Sequence, residues 1–77
     1  QEYEGITHLY EVKPFDSPTR CIREGLGQLM HYCSQHYTNT ENIHLIVAGP
    51  SEPNDNDLEY IRFVVSSLSI SFIYIKI

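Results

Sequence analysis

Apolar residues along the chain recur with two different spacings, one typical of strands and the other of helices. Residues 6–13 are rich in β-branched and aromatic side chains and stop before Pro14, a pattern that predicts a β-strand. Residues 43–48 form a near-continuous apolar run ended by a Gly-Pro pair, which predicts a buried and parallel strand. Residues 70–77 are again mostly apolar and predict a last strand in the same sheet.

A helix is predicted between the first two strands, over residues 20–37, with Ser17 or Thr19 as its N-cap. The apolar residues there recur one turn apart and form one buried stripe, made by Ile22, Leu26, Leu29, Met30, Cys33 and Tyr37. Gly25 and Gly27 each cost about 1 kcal/mol relative to Ala inside a helix. Their presence suggests a close approach by another part of the molecule, or a local irregularity.

A second helix is predicted after the second strand, where a polar loop precedes apolar residues at helical spacing, namely Leu58, Ile61, Val64 or Val65, and Leu68. Asn56 and Glu59 are expected to form its capping box. The predicted element order is therefore β-α-β-α-β, with right-handed crossovers between parallel strands. Residues 1–77 leave room for a single domain of the α/β class.

Composition restricts the function classes. The net charge of −5 argues against a protein that grips nucleic acid mainly by counterion release, so such binding must be local or assisted by a metal. Cys21 and Cys33 lie 12 residues apart on one predicted helix, too far for a disulfide between them. Free thiols suit a cytoplasmic protein, and neither a signal peptide nor a membrane-spanning run is visible. The histidines and cysteines lack the spacing of a zinc site.

Glu11 and Lys13 stand at the end of the first predicted strand. Because side chains alternate along a strand, these two project on one side, while Tyr10 and Val12 project on the other. The pair suits phosphodiester hydrolysis, since Glu11 could hold a divalent cation through oxygen and Lys13 could neutralise the attacked phosphate or steer the attacking water. The same spacing also occurs in solvated ion pairs on exposed strands, which is the alternative interpretation.

A second group of polar residues follows on the first helix. Cys21, Gly25, Gln28 and Tyr32 share a stripe that flanks the apolar face. Gln28 and Tyr32 are one turn apart and can act together, while Gly25 leaves room for a backbone or a ligand. The alternative is a boundary glutamine beside a half-buried tyrosine whose hydroxyl meets water.

Together, this strand and this helix resemble the PD-(D/E)XK nuclease superfamily. In its RecB-like branch an acid-x-Lys strand is followed by a helix that carries Q-x-x-x-Y. Glu11 and Lys13 match the first motif, and Gln28 and Tyr32 match the second, in the same order. The resemblance covers residues 6–48 and implies a restriction-endonuclease-like core with a mixed sheet flanked by helices.

The resemblance implies a deoxyribonuclease that hydrolyses the phosphodiester bonds of DNA with Mg²⁺ or Mn²⁺. In that family Glu11 would be a metal ligand, the carbonyl of Val12 a second ligand, and Lys13 the residue that orients or activates the water. Gln28 would hold the site together near the lysine. Tyr32 would contact the nucleic-acid strand or buttress the site.

Arg23 is a candidate phosphate contact, or equally a solvated helix residue. The family also needs a further acid, usually Asp, on a preceding strand, whereas only Glu2 and Glu4 lie upstream here. We therefore expect this domain to be partial, with its N-terminal strands missing, or its site to be degenerate. The alternatives to a nuclease are a catalytically inactive relic of the fold that binds nucleic acid or protein, and an unrelated small α/β domain.

Exposed strand edges predict self-association. Without a preceding hairpin strand, residues 6–13 would carry unpaired backbone groups, which are a template for pairing with another chain. The apolar strand at residues 70–77 offers a second such edge. We expect the 77-residue chain to form a homodimer through one of these edges and to be inactive by itself.

Overall fold

The computed structural model describes residues 2–3, through their backbone, and residues 5–77. It contains four strands and two helices in the order β1, β2, α1, β3, α2, β4, with the bounds Glu2–Tyr3, Ile6–Val12, Pro18–His36, Ile43–Gly49, Asp55–Leu68 and Ser71–Lys76. The bounds of β2, α1, β3 and β4 agree with the sequence-based prediction to within two residues, and α2 lies where a second helix was predicted. The exception is β1, a two-residue strand that the sequence pattern did not indicate.

The sheet has the strand order β1-β2-β3-β4, so its spatial order equals the order along the chain. β2, β3 and β4 are parallel to one another, as predicted for a β-α-β-α-β chain. The expected mixed sheet is not found among these three long strands, and only the short β1 runs antiparallel, beside Ile6 and Thr7 of β2. Gly5, directly before β2, has a φ of +80°, a left-handed conformation that glycine adopts without strain.

Both helices cover the same face of the sheet, because two successive right-handed crossovers in the same direction return on one side. α1 packs on β2 and β3, and α2 packs on β4. The hydrophobic core lies between these two layers, and its largest fully buried side chains are Ile22, Leu45 and Val47. On the opposite face of the sheet several apolar side chains are exposed, among them Tyr10, Val12, Ile73 and Ile75.

α1 follows its predicted stripe. Ser17 is the N-cap and accepts a hydrogen bond from the backbone N–H of Arg20. Gly25 is buried, and a Cβ at that position would lie 2.6 Å from Cγ2 of Val47, so the glycine is required by the close approach of α1 to β3. Gly27 has nothing within 4 Å of such a Cβ, so no close approach explains it.

α2 departs from its prediction at both ends. The capping box is formed by Asn54 and Asp57, not by Asn56 and Glu59. Of the predicted apolar stripe only Val64 is fully buried, whereas Leu58 and Leu68 are 39% and 54% exposed.

Neither helix in the described part of the chain combines the length and the apolar character that crossing a bilayer requires.

Candidate functional site

The carboxyl-terminal end of β2 carries an ion pair. Leu9, Glu11 and Lys13 alternate with exposed residues and face the helical layer, where Leu9 packs against the core. The Nζ atom of Lys13 lies 3.7 Å from Oε2 of Glu11, and the two side chains are only 11% and 32% exposed. The lysine side chain is therefore largely buried, whereas the Glu11 carboxylate stays partly exposed.

α1 crosses this end of β2 and contributes one wall of a groove. A cavity of about 410 Å³ is lined by Glu11, Gln28 and Tyr32, together with Leu9, Tyr10 and Leu29. The Glu11 carboxylate and the two polar residues of the Q-x-x-x-Y motif thus line one groove between α1 and β2. Gln28 is exposed and Tyr32 is 45% exposed, so both can be reached by a ligand.

Lys13 lies beyond the end of this groove, next to the loop that leads into α1. Its backbone N–H donates to the carbonyl of Ala48, and its ammonium group is 6.0 Å from the ring centroid of Phe15. The carbonyl oxygens of Lys13 and Phe15 both accept contacts from the buried Cys21 thiol, at 3.7 and 3.2 Å. The backbone around the lysine is thereby held by β3 and by α1.

The direction of the Val12 carbonyl follows from the ladder between β2 and β3. The Lys13 N–H bonds to β3, and backbone groups of successive residues in a strand point to opposite sides. The carbonyl of Val12 therefore points away from β3, toward the side of β2 on which β1 lies. Among the described residues, β1 covers this side only at Ile6 and Thr7. The Val12 carbonyl thus faces the outer edge of β2, whereas the Glu11 side chain projects from the helical face of the same strand.

Arg23 stands on the exposed side of α1. It lines one cavity with Gln28 and His31, and a second with Ser17 and Arg20. Arg20 is held by Glu24, at 2.7 Å, and by the ring of Phe15, whose centroid is 3.6 Å from the guanidinium carbon. No ion pair involves Arg23 within residues 5–77, so its guanidinium is open to an anion.

An aromatic pair extends the groove along α1. The rings of Tyr32 and His36 stack at 4.1 Å with an angle of 28° between their planes, and Tyr37 follows at 6.4 Å from Tyr32. His36 was not among the residues predicted from the sequence, although its position one turn after Tyr32 was the signal for this contact.

A second polar cluster, which sequence reasoning missed, joins the N-termini of the two helices. Asp57 is buried and accepts hydrogen bonds from the hydroxyl of Thr19 and from the backbone N–H of Asn54. Nearby, the hydroxyl of Tyr74 donates to the carbonyl of Ser51 at 2.8 Å. Burial raises the pKa of Tyr74, and burial also raises the pKa of the Cys33 thiol. Asp57, Thr19 and Tyr74 have their hydrogen-bond partners within the fold, so we assign them a structural role.

Among the described residues that line the groove, only Glu11 carries a carboxylate. No group of three or more His, Cys, Asp or Glu side chains in the described part of the chain is arranged to hold a metal ion. Glu4 and the side chain of Glu2, the two upstream acids considered in the sequence, lie outside the described residues. Glu11 is thus the acid that the described groove itself contributes.

Comparisons of the chain with protein-family models, with curated proteins and with solved structures found no match.

Proposed function

We propose that this chain carries the active groove of a divalent-metal-dependent deoxyribonuclease that resembles the PD-(D/E)XK superfamily. The observation that supports the proposal most directly is the Glu11–Lys13 pair, whose lysine is largely buried and whose carboxylate lines one groove with Gln28 and Tyr32. A lysine side chain is rarely buried to this degree unless it is paired, so the pair has a local role beyond solubility. An acid, an amide and a phenol would then meet a phosphodiester in this groove, with the lysine just beyond its end.

The groove can contribute part of a Mg²⁺ or Mn²⁺ site. Mg²⁺ is commonly held by one or two carboxylates, with substrate phosphate and water completing its octahedron. The Glu11 carboxylate and the outward Val12 carbonyl would be the ligands from this chain, and the ion, when bound, would polarise the phosphoryl oxygen. A strand that continued β1 in its observed register would run along this same edge of β2. We place the second acid of the family on such a strand.

The remaining residues act on the substrate. Lys13 neutralises negative charge that develops on the attacked phosphate and orients the water. Gln28 keeps the α1 side of the groove in place beside Glu11, and Tyr32 contacts the nucleic-acid strand. Arg23 binds a phosphate further along the helix. Since the net charge is −5, binding depends on these local contacts and on the metal. The two buried free thiols are consistent with a cytoplasmic location.

The test is DNA cleavage with Mg²⁺ or Mn²⁺ by any longer natural chain that contains these residues, with the 77-residue chain, which we expect to be inactive by itself, assayed beside it. We expect cleavage to require the ion and to be abolished by EDTA. Lys13→Ala should lower kcat by about two to three orders of magnitude, because it removes a charge aimed at the transition state. Arg62→Ala is the matched control, since it removes an exposed positive charge from α2. Undiminished cleavage in EDTA, or full activity in a folded Lys13→Ala protein, would contradict the mechanism.

Metal binding gives a separate test of Glu11. Titration calorimetry with Mn²⁺ should show binding that weakens at least about tenfold in Glu11→Gln, because the change removes an anionic oxygen ligand. Glu59→Gln, on the exposed side of α2, should leave it unchanged.

The second candidate function is a non-catalytic nucleic-acid-binding or protein-interaction module. The low carboxylate content of the described groove favours it. A chain that binds DNA through Arg23 and Tyr32 but neither binds Mn²⁺ nor cleaves DNA would support this module in place of the enzyme.

A further inference from the structure

β4 lies at the end of the sheet, and half of its backbone groups point away from β3. The N–H of Ile77 donates to the carbonyl of Gly49 at 2.9 Å, so the odd-numbered residues of β4 bond to β3. By the alternation of a strand, the N–H and C=O groups of Phe72, Tyr74 and Lys76 face outward. No strand in the described chain pairs with them. This edge also lacks the proline, the bulge and the row of charges that usually protect an edge strand.

The outward groups of β4 are complementary to those of a second β4. An antiparallel pair centred on Tyr74 would set Tyr74 opposite its own copy and Phe72 opposite Lys76 of the other copy. Every outward N–H and C=O between those residues then finds a partner. On the open face of the sheet the same register sets Ile73 opposite Ile75, and these side chains are 52% and 38% exposed in the single chain. Such a pairing has two-fold symmetry, as a homodimer requires.

Two of the exposed apolar residues of α2, Leu58 and Leu68, lie on the same side of the molecule as the edge of β4, whereas Tyr60 and Phe63 lie on the α1 side. Tyr60 lines a cavity together with Ile22 and Arg23 of α1, which identifies the α1 side of α2. At about 100° per residue, Leu58 and Val65 project from the opposite side of the buried Val64. Leu68 continues this flank along α2, and Ile61 and Val65 on the same flank are partly buried against the core. The flank therefore overhangs β4, which explains why two residues of the predicted core stripe, Leu58 and Leu68, are exposed.

We propose that the chain forms a two-fold homodimer in which β4 pairs antiparallel with β4 of a second copy and the α2 flanks pack on each other. The two sheets become one continuous sheet with Tyr74 at the symmetry axis. The helices α2, which cover the same face of their sheets, then lie side by side across the axis. This dimer does not involve the groove at β2, so its existence is independent of the proposed nuclease activity.

The α2 flank provides the first test, by sedimentation velocity over a dilution series. Leu68→Glu should weaken dimerisation at least about tenfold, because it places a charge in a desolvated contact. Phe63→Glu is the matched control, since Phe63 is even more exposed, at 66%, but projects on the α1 side of α2 and should leave dimerisation unchanged. Circular dichroism verifies that both variants are folded. Equal effects of the two variants, or a wild-type chain that stays monomeric at all concentrations, would overturn the proposal.

The β4 edge provides the second test. Lys76→Pro removes an outward N–H without touching the ladder to β3 and should weaken dimerisation, whereas Lys76→Ala keeps that N–H and should dimerise normally. The register is tested by mixing Ile73→Cys chains with Ile75→Cys chains under mild oxidation. Directly opposite residues are within disulfide range, so only the mixture should yield a cross-linked dimer. The native Cys21 and Cys33 are buried and will not compete. A cross-link within either single variant would contradict the register.

Discussion

At Gly25, α1 and β3 approach each other more closely than any side chain would allow. Gly25→Ala would place a Cβ 2.6 Å from Val47 Cγ2, and the core must move to accept it. We expect a loss of about 1–3 kcal/mol in the free energy of unfolding, measured by urea denaturation, as is typical of overpacking. In a Val47→Ala background the additional cost of Gly25→Ala should be smaller, because the methyl groups that meet the new Cβ are gone.

Gly27 is the matched control for Gly25 on the same helix. It is exposed, and a Cβ there would meet nothing within 4 Å. Gly27→Ala should therefore raise the free energy of unfolding by about 1 kcal/mol, because alanine restricts the unfolded chain and favours the helix. If both alanine variants were destabilised equally, the close packing on Val47 would not be the reason for Gly25.

At the scale of an element, the start of α2 depends on Asp57. This buried carboxylate accepts from the Asn54 N–H within its own capping box and from the Thr19 hydroxyl at the start of α1. Asp57→Ala should cost about 1–2 kcal/mol, because it removes the carboxylate half of the capping box and the acceptor of the Thr19 hydroxyl. Asp55→Ala, at the exposed first position of α2, should cost less than about 1 kcal/mol, since it loses only the favourable helix-dipole term. Urea denaturation of the two variants measures the difference.

The elements that could be predicted from sequence are those whose signal is local. The spacing of apolar residues in α1 and the serine at its N-cap, Ser17, can both be recognised from neighbouring residues alone. Both predictions agree with the structure. The cap of α2 was misplaced because Asn54 and Asn56 have the same propensity. What decides between them is the contact of Asp57 with Thr19, 38 residues earlier in the chain. β1 escaped prediction because two residues are too few to show a period.

For the candidate site, sequence could predict which side of β2 carries Glu11 and Lys13, because strand alternation fixes it. Sequence could not predict that the Lys13 side chain is largely buried. It also could not predict that Arg23 lines the cavities along α1 and not the groove that contains Glu11. These properties depend on how α1 lies across β2. Similarly, periodicity placed Leu58 and Leu68 on the apolar stripe of the second helix. It could not predict that both side chains are exposed in the single chain.

At the scale of the whole molecule, stability should decline in alkali. Burial raises the pKa of Cys33 above its ordinary value of 9.0, and the pKa of Tyr74 above its ordinary value of 10.0. As the pH rises past about 9 the unfolded chain loses protons that the folded chain keeps, so the free energy of unfolding falls until the folded groups also ionise.

Urea denaturation between pH 7 and 10.5 measures this decline. A Cys33→Ala, Tyr74→Phe double variant should show a shallower decline, although it starts from a lower stability because Tyr74 loses its hydrogen bond to Ser51. An unchanged slope in the double variant would mean that other groups cause the alkaline decline.

The strand order, in which neighbours in space are also neighbours along the chain, has a consequence for how the protein folds during synthesis. β2 and β3 with α1 form one complete unit of the sheet before β4 leaves the ribosome. Until that moment β3 pairs only with β2, and its other edge is open. Its near-continuous apolar sequence can then pair with wrong partners. A pause in translation between α2 and β4 would therefore expose the most aggregation-prone segment of the chain, and chaperones would be needed most at that point.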